Sequence, residues 1–205
     1  GLRSEFRVDK RTELISIVAP VYNEEGVLDA LYERVRAVLD GAGETWELVL
    51  VNDGSRDRSA EVIARLHAAD ERVKGLSFSR NFGFQIAATA GLDCARGDAV
   101  ILTDADLQDP PELIAEMWAQ RLDGFEVVYG RRVDRDASWF MRRAYKGFYR
   151  VFQALAPFNI PRDAGDFSLM SRSVIDALVA MPERDLFIRA QRAYVGFRQT
   201  GVDYK

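Results

Sequence analysis

Leu14 to Ala19 (LISIVA) is a nearly continuous apolar run stopped by Pro20, which is the mark of a strand covered on both faces. A helical pattern follows over Glu25 to Leu39, with Val27, Leu28, Leu31, Val35 and Val38 on one stripe and a Gly-Ala-Gly stop at 41 to 43. The alternation then continues. Strands are predicted over Glu47 to Val51, Val73 to Phe78, Ala99 to Thr103 and Phe125 to Tyr129, with helices over Asp57 to Ala69, Phe84 to Ala95 and onward from Pro110-Pro111, where proline suits a first turn. Short connections between such elements require a mostly parallel sheet with helices on both faces. Beyond Gly130 the pattern predicts a helix over Trp139 to Leu155, closed by Pro157 and Pro161. A strand over Asp166 to Met170, helices over Arg172 to Ala180 and Asp185 to Tyr194, and a final strand over Phe197 to Val202 complete the chain. No repeat or low-complexity linker divides the 205 residues, so a single domain is expected.

Composition narrows the function classes. With 28 Lys and Arg against 32 Asp and Glu the chain carries a net charge of −4, so nucleic acid is not expected as a partner. The charge is unevenly spread: residues 131 to 150 hold seven basic side chains against two acids, a local net of +5, leaving −9 for the rest. Arg142, Lys146 and Arg150 form one stripe of the predicted Trp139 to Leu155 helix and Phe140, Ala144, Phe148 and Phe152 another. Such a helix packs by its aromatic side and can turn its basic side to anionic headgroups. The single cysteine, Cys94, can form no intramolecular disulfide and reads as an inert packed thiol. No run approaches eighteen apolar residues and the first seven residues lack the apolar core of a signal peptide, as expected of a soluble intracellular chain.

In an open α/β sheet the ligand site lies at the carboxyl ends of the strands. Four loops there are polar together: Pro20-Val-Tyr-Asn-Glu-Glu25, Asn52-Asp-Gly-Ser55, Ser79-Arg-Asn-Phe-Gly83 and Asp104-Ala-Asp-Leu-Gln-Asp109. Each alone is what turns and helix caps use, but four converging on one crevice exceed what capping needs. Asp104, Asp106 and Gln108 offer the hard oxygen ligands that Mg²⁺ or Mn²⁺ takes alongside phosphate. Asp53 can accept hydrogen bonds from a nucleobase and Tyr22 can stack on one. No G-x-G-x-x-G follows the first strand and no G-x-x-x-x-G-K-[ST] occurs, which disfavours dinucleotide oxidoreductases and P-loop NTPases. A metal and diphosphate site built without those loops points to a nucleotide-sugar.

These four segments, with Ala90-Gly91 through Arg96-Gly97-Asp98 and Asp109-Pro-Pro-Glu112, resemble in order and spacing the inverting glycosyltransferases of family 2. Tyr129-Gly-Arg-Arg132, Gly165-Asp-Phe-Ser-Leu-Met170 and Glu183-Arg through Gly196-Phe-Arg-Gln-Thr200 are similar to the polyprenyl-phosphate branch, which contains dolichyl-phosphate mannose synthases and bactoprenol glucosyltransferases. The resemblance covers about residues 12 to 205. It implies the GT-A fold, a mostly parallel Rossmann-like sheet with helices on both faces, in which residues 1–130 take the nucleotide-sugar and metal and 131–205 the acceptor.

By the same resemblance Pro20, Tyr22, Glu24, Asp53, Arg80 and Asp104 would hold the nucleotide, and Asp104, Asp106 and Gln108 the Mg²⁺ or Mn²⁺. Arg132, an arginine after the fifth strand, would meet the acceptor phosphate with Arg131 and Arg135 beside it. Asp166, expected beside the sugar, would orient sugar or acceptor or act as a base; the plainer role for it is capping the following strand or pairing with Arg132. Phe84 departs from the family, where a basic residue or histidine often follows Arg-Asn-Phe-Gly. The implied reaction moves a hexose from a UDP-glucose or GDP-mannose type donor to a polyprenyl phosphate with inversion, giving a β-linked product. Asp166, Arg132 and Asp106 would carry it. A membrane surface is the expected partner, homo-oligomerisation is compatible with it, and the expected place is the cytoplasmic face of the membrane, anchored by segments beyond Lys205. A family 2 transferase with a saccharide acceptor and a non-catalytic nucleotide-sugar-binding module are the alternatives. The Gln-x-x-Arg-Trp of processive synthases is absent, and retention of Asp53, Asp104, Asp106 and Asp166 opposes degeneration.

Overall fold

The computed structural model describes residues 13–132, 164–181 and 187–204. Among them seven strands, β1 (Leu14–Val21), β2 (Thr45–Asn52), β3 (Val73–Ser77), β4 (Ala99–Leu102), β5 (Val127–Arg132), β6 (Ala164–Ser171) and β7 (Gln199–Tyr204), form one sheet in the order β3-β2-β1-β4-β6-β5-β7. Six run the same way and β6 alone is reversed, antiparallel to both β4 and β5. The helices are α1 (Leu28–Ala42), α2 (Ser59–Ala69), α3 (Phe84–Cys94), α4 (Ile114–Leu122), α5 (Arg172–Val179) and α6 (Ile188–Tyr194), with a 3₁₀ turn over Pro111–Leu113 before α4.

The period-2 pattern of the strands divides the core in two. Ile15, Ile17, Leu48, Leu50 and Ile101 face α1, α2 and α4 on one side, through Leu31, Ile63 and Met117. Val18, Val49, Val51, Val100 and Leu102 face α3, α5 and α6 on the other, through Leu92, Ile175 and Ile188. Nearly all of these are excluded from water, each contributing roughly 1.5–3 kcal/mol of transfer free energy. The expected mostly parallel sheet, covered on both faces, is therefore what the chain builds. From β1 the connections run outward to β2 and β3, then return past β1 to β4. The crevice of this sheet opens where that order reverses, at the carboxyl ends of β1 and β4.

Several boundaries differ from the sequence expectation, for physical reasons. Helix α1 starts at Leu28, three residues late, because Glu24 and Glu25 donate their N–H groups to Ser59 Oγ and Asp57 Oδ2 rather than entering the helix. It ends as expected at Gly43, in the left-handed region at φ 72°. Strand β5 runs on to Arg132, so Arg131 and Arg132 lie within it and not after it, because β7 pairs alongside with Arg131 opposite Asp203 and Arg132 opposite Tyr204. The predicted Trp139 to Leu155 helix, its proline stops and Arg135 lie outside the described residues, as does the start of the helix expected from Asp185. Among the described residues no helix is long and apolar enough to cross a membrane.

The end of the sheet away from the crevice is tied by Arg72. Its guanidinium bonds Asp70 and Asp40 and lies 4.0 Å from the Trp46 ring centroid, while Trp46 Nε1 donates to Asp40 and the Tyr32 hydroxyl to Asp70. Arg72 holds the Asp70 carboxyl far below the usual carboxylate range, first through its hydrogen bonds and against the opposing effect of burial. A depressed folded-state pKa stabilises above the unfolded value of about 3.9 and the contribution is lost as pH falls from there toward the folded value. Arg72→Met should therefore lower the melting temperature at pH 7 by a few degrees, on the order of 1 kcal/mol for a guanidinium about a third exposed. The gap to wild type should close below about pH 4; thermal unfolding followed by circular dichroism between pH 2 and 7 measures both.

Candidate active site

The first two crevice loops are knitted together before any ligand is considered. Ser55 Oγ accepts the Asn23 N–H, Asn23 Oδ1 accepts the Arg56 N–H, and Asn52 Oδ1 accepts the Ser55 N–H, all within 3.0 Å. Asn23 takes a left-handed φ of 58° to make these contacts, a conformation asparagine tolerates better than most residues. The third loop lies directly on the second. A Cβ at Gly54 would stand 2.3 Å from the Arg80 carbonyl carbon, and φ there is +66°, so only glycine lets the two backbones approach. Asp53, 3% exposed, completes the lock: its two carboxylate oxygens accept the Phe82 and Gly83 N–H groups at 2.7 and 2.9 Å.

Between these loops and the one after β4 lies a cavity of about 300 Å³, walled by Pro20, Tyr22, Glu24, Asp53, Asp104 and Asp106, with Asn81 and Phe84 contributing. Six residues expected at the nucleotide or metal thus share one cavity. Tyr22 remains 41% exposed, leaving its ring free at the mouth. Asp53 stands at the wall, yet its oxygens already organise the third loop, a role separate from the base contact its sequence suggested. Arg80 is not among the wall residues: its guanidinium bonds the Asn81 carbonyl and stacks on the Phe82 ring at 3.9 Å, and Asn81 and Phe84 occupy the wall.

The acidic wall is built by the loop Asp104 to Asp109. Leu107 sits at φ 63°, a left-handed geometry that costs a leucine roughly 1–2 kcal/mol and that turns the loop so that Asp106 Oδ1 accepts the Gln108 N–H at 3.0 Å. The Asp104 carboxyl is pushed up to about 6, first by burial and then by the neighbouring charges of Asp109, Asp106 and Asp166. Glu24 is raised as well, first by burial and then by Asp106 and Asp57. Such crowding is costly for carboxylates alone and is relieved by a cation. Among the described residues no three carboxylate, thiol or imidazole groups converge closely enough to hold a metal unaided. The donor set fits a hard divalent cation that takes one or two carboxylates and completes its shell with ligand phosphate and water, the habit of Mg²⁺ and Mn²⁺.

Strand β6 brings the remaining groups. Ser168 pairs with Leu102, the last residue of β4, so the start of the reversed strand lies beside the Asp104 loop. Asp166 there pairs neither with Arg132 nor with a strand cap. It accepts a bidentate pair of hydrogen bonds from Arg189 on α6, at 2.8 and 2.6 Å. Arg132 instead reaches the Asp104 to Asp109 loop, with its terminal nitrogens 3.4 and 3.5 Å from the Gln108 carbonyl and side-chain oxygens. Arg131 is ion-paired with Asp203. Since successive strand residues face opposite sides, Arg132 is the one directed to the site.

The roles of four contributors escaped the sequence reading. Arg189 and Arg192, three apart on α6, were visible as two cations on a short, otherwise largely uncharged helix; Arg192 is 1% exposed and donates to the Gly165 carbonyl. Asp109 was read as part of the polar loop but not as a partner of Tyr204, to which it is hydrogen-bonded, because Tyr204 fell beyond the predicted end of the last strand.

Residues 16–179 match the family described as glycosyl transferase family 2. The chain is 48% identical over 190 residues to an uncharacterized glycosyltransferase of Bacillus subtilis, covering 92% of this chain and 59% of that one. It is 39% identical over 191 residues to the prophage bactoprenol glucosyl transferase homolog of Escherichia coli, covering 93% and 62%. It thus spans about three-fifths of the length of these curated relatives. Among solved structures, a mannosyltransferase of Pyrobaculum calidifontis in complex with GDP-Man and Mn²⁺ superposes with a TM-score of 0.65 at 19% identity, over 95% of this chain and 56% of that one. Glucosyl-3-phosphoglycerate synthase of Mycobacterium tuberculosis, with Mn²⁺, UDP and phosphoglyceric acid, gives 0.56 at 20%, over 81% and 58%. Identities this low carry the fold alone, and that fold is GT-A. With the family matched over most of its length and relatives at 48% and 39% identity, the chain belongs to glycosyl transferase family 2.

Proposed function

We propose that this domain transfers a hexose, with inversion, from a nucleoside-diphosphate sugar of the UDP-glucose or GDP-mannose type to a polyprenyl phosphate at the cytoplasmic face of a membrane. The observation that carries this reading is the meeting of two unlike features on one loop: the carboxylates Asp104 and Asp106 border the nucleotide cavity, and Arg132 approaches the same loop at Gln108 from β5. That arrangement supports adjacent places for the donor diphosphate and an anionic acceptor. Two relatives support the lipid acceptor by name, the bactoprenol glucosyl transferase of a Shigella phage at 39% identity and the undecaprenyl-phosphate 4-deoxy-4-formamido-L-arabinose transferase of Aeromonas hydrophila at 37%.

The chemistry suits these residues. A lipid phosphate is an anion at neutral pH, so the nucleophile needs placement more than deprotonation, and the planar guanidinium of Arg132 can hold phosphate oxygens in a fork. A phosphate oxygen bonds to the anomeric carbon as the carbon–oxygen bond to the donor's β-phosphate breaks, and the nucleoside diphosphate leaves with the electron pair. Mg²⁺ or Mn²⁺, held by Asp104, Asp106 and Gln108, would supply charge stabilisation to that leaving group. Asp53 keeps the Phe82-Gly83 turn closed, and Tyr22 is free to stack on the base. Asp166, with both oxygens held by Arg189, acts as a fixed anion that orients the sugar or acceptor.

Incubation with polyprenyl phosphate in detergent, Mn²⁺ or Mg²⁺ and radiolabelled UDP-glucose or GDP-mannose should give label that extracts with lipid. Label found solely in polysaccharide would overturn the acceptor. A thermal-shift panel of UDP- and GDP-sugars identifies the donor, because a ligand that binds only the native state raises its stability. Asp106→Ala should lower turnover by about 10²–10³-fold, the usual loss when transition-state charge is left uncompensated, and should abolish the metal-dependent part of nucleotide binding; unchanged turnover would displace the metal from this loop. Arg189→Met should lower kcat while leaving the Kd for the nucleoside diphosphate within about twofold, since the clamp acts on Asp166 and not on the base.

A further inference from the structure

We infer that Tyr204, acting through Asp109, is a positioning residue that holds the Asp104 to Asp109 loop in register and supports Arg132 from beneath, so that the last residue of β7 sets the geometry of both halves of the site. The inference rests on the metal and diphosphate reading of that loop and adds a residue to it that touches neither donor nor acceptor.

Three features place the phenol. Strand pairing sets Tyr204 opposite Arg132 on β5. Gly130 leaves room for its ring: a Cβ there would lie 2.9 Å from both Tyr204 Cε1 and Phe167 Cδ1. Phe167 then meets the ring edge-on, with centroids 6.1 Å apart, which fixes the direction of the hydroxyl. That hydroxyl donates to Asp109 Oδ1. Asp109 is 8% exposed, and a buried carboxylate deprived of its donor would be left unsatisfied.

The loop needs such a tie. Leu107 at φ 63° is a conformation that survives where the surroundings over-determine it. Within the loop the Asp106 to Gln108 hydrogen bond forms a local turn but does not attach it to the sheet. From other strands Arg132 reaches Gln108 at long range, 3.4 and 3.5 Å, and Tyr204 reaches Asp109, the next residue. The Arg132 guanidinium carbon is also 6.0 Å from the Tyr204 ring centroid, within range of a cation–π attraction. One ring therefore bears on the carboxylate loop through its oxygen and on the arginine through its face.

Tyr204→Phe tests this, since it removes one oxygen and keeps the packing against Phe167. Amide hydrogen exchange over residues 104–109 should speed up about tenfold, the loss of one hydrogen bond to a charged group, with the loops at 20–25 and 52–56 unchanged. The Kd for Mn²⁺ in the presence of UDP or GDP, read by electron paramagnetic resonance, should rise about tenfold. Activity lost at low Mn²⁺ should return at excess Mn²⁺, which a general loss of structure would not allow. Asp109→Asn, whose amide oxygen still accepts the phenol, should stay close to wild type in exchange. Exchange in Tyr204→Phe that is unchanged at 104–109, or faster throughout the protein, would overturn the inference. Wild-type protein that binds no Mn²⁺ with either nucleotide would count against the metal reading, while the exchange comparison still decides whether Tyr204 braces the loop.

Discussion

A reversed strand inserted between two parallel neighbours delivers its first residues, not its last, to the edge where parallel strands end. Strand β6 does this between β4 and β5, and the place of Asp166 with its Arg189 partner beside the crevice depends on it. Parallel strands alone bring carboxyl-end loops together, which suffices for the cavity formed after β1, β2, β3 and β4. The reversal adds a group from a strand's beginning: Asp166, two residues before the Ser168 that pairs with Leu102. A register slip of one residue would turn Asp166 to the other face of the sheet. The buried Phe167 and Leu169 on one side and Met170 on the other hold that register.

The loops after β1, β2 and β3 are organised differently, by satisfying one another. Asn23, Asn52, Asp53 and Ser55 spend much of their hydrogen-bonding capacity on neighbouring backbone. Such pre-organisation removes part of the ordering cost of binding. It also separates two kinds of acidic residue that look alike in sequence. Asp53 and Asp57 have their charge absorbed by N–H donors. Asp104, among the described residues, meets burial and other carboxylates, opposed by the favourable field of Arg189, and its charge calls for a counter-ion.

What the sequence made legible follows from how locally each feature is encoded. Strand and helix identities along β1 to β5 were readable because each is written in a contiguous apolar pattern, and the four polar loops were readable because parallel topology sends them to one edge. Pairings between distant segments were not. Nothing adjacent to Asp166 names Arg189 as its partner, and the pairing with Arg132 offered as its plainer role is not the one formed. The ends of β5 and β7 were underestimated together, since each strand is lengthened by the other and neither Arg132 nor Tyr204 carries an apolar signal of its own. The late start of α1 has the same origin, in hydrogen bonds from Glu24 and Glu25 to residues more than thirty positions away.

Arg192 shows how far the fold goes to support Asp166. Its guanidinium is almost wholly buried, one terminal nitrogen bonds the Gly165 carbonyl, and the other has no hydrogen-bond partner among the described residues. The Tyr129 ring centroid lies 5.4 Å from its guanidinium carbon. Burial pushes this group down to about 10, with Asp166 acting in the opposite sense. Removing such a cation from water costs several kcal/mol, and one carbonyl and one aromatic face offset only part of that. Among the described residues the charge of Asp166 adds to that compensation, so the two groups stabilise each other: Arg192 pins the main chain that carries the carboxylate, and the carboxylate helps keep the buried guanidinium tolerable. Arg189 holds the same carboxylate from the same helix, three residues earlier. A single helix of seven residues therefore fixes Asp166 through both its side chain and the adjoining backbone.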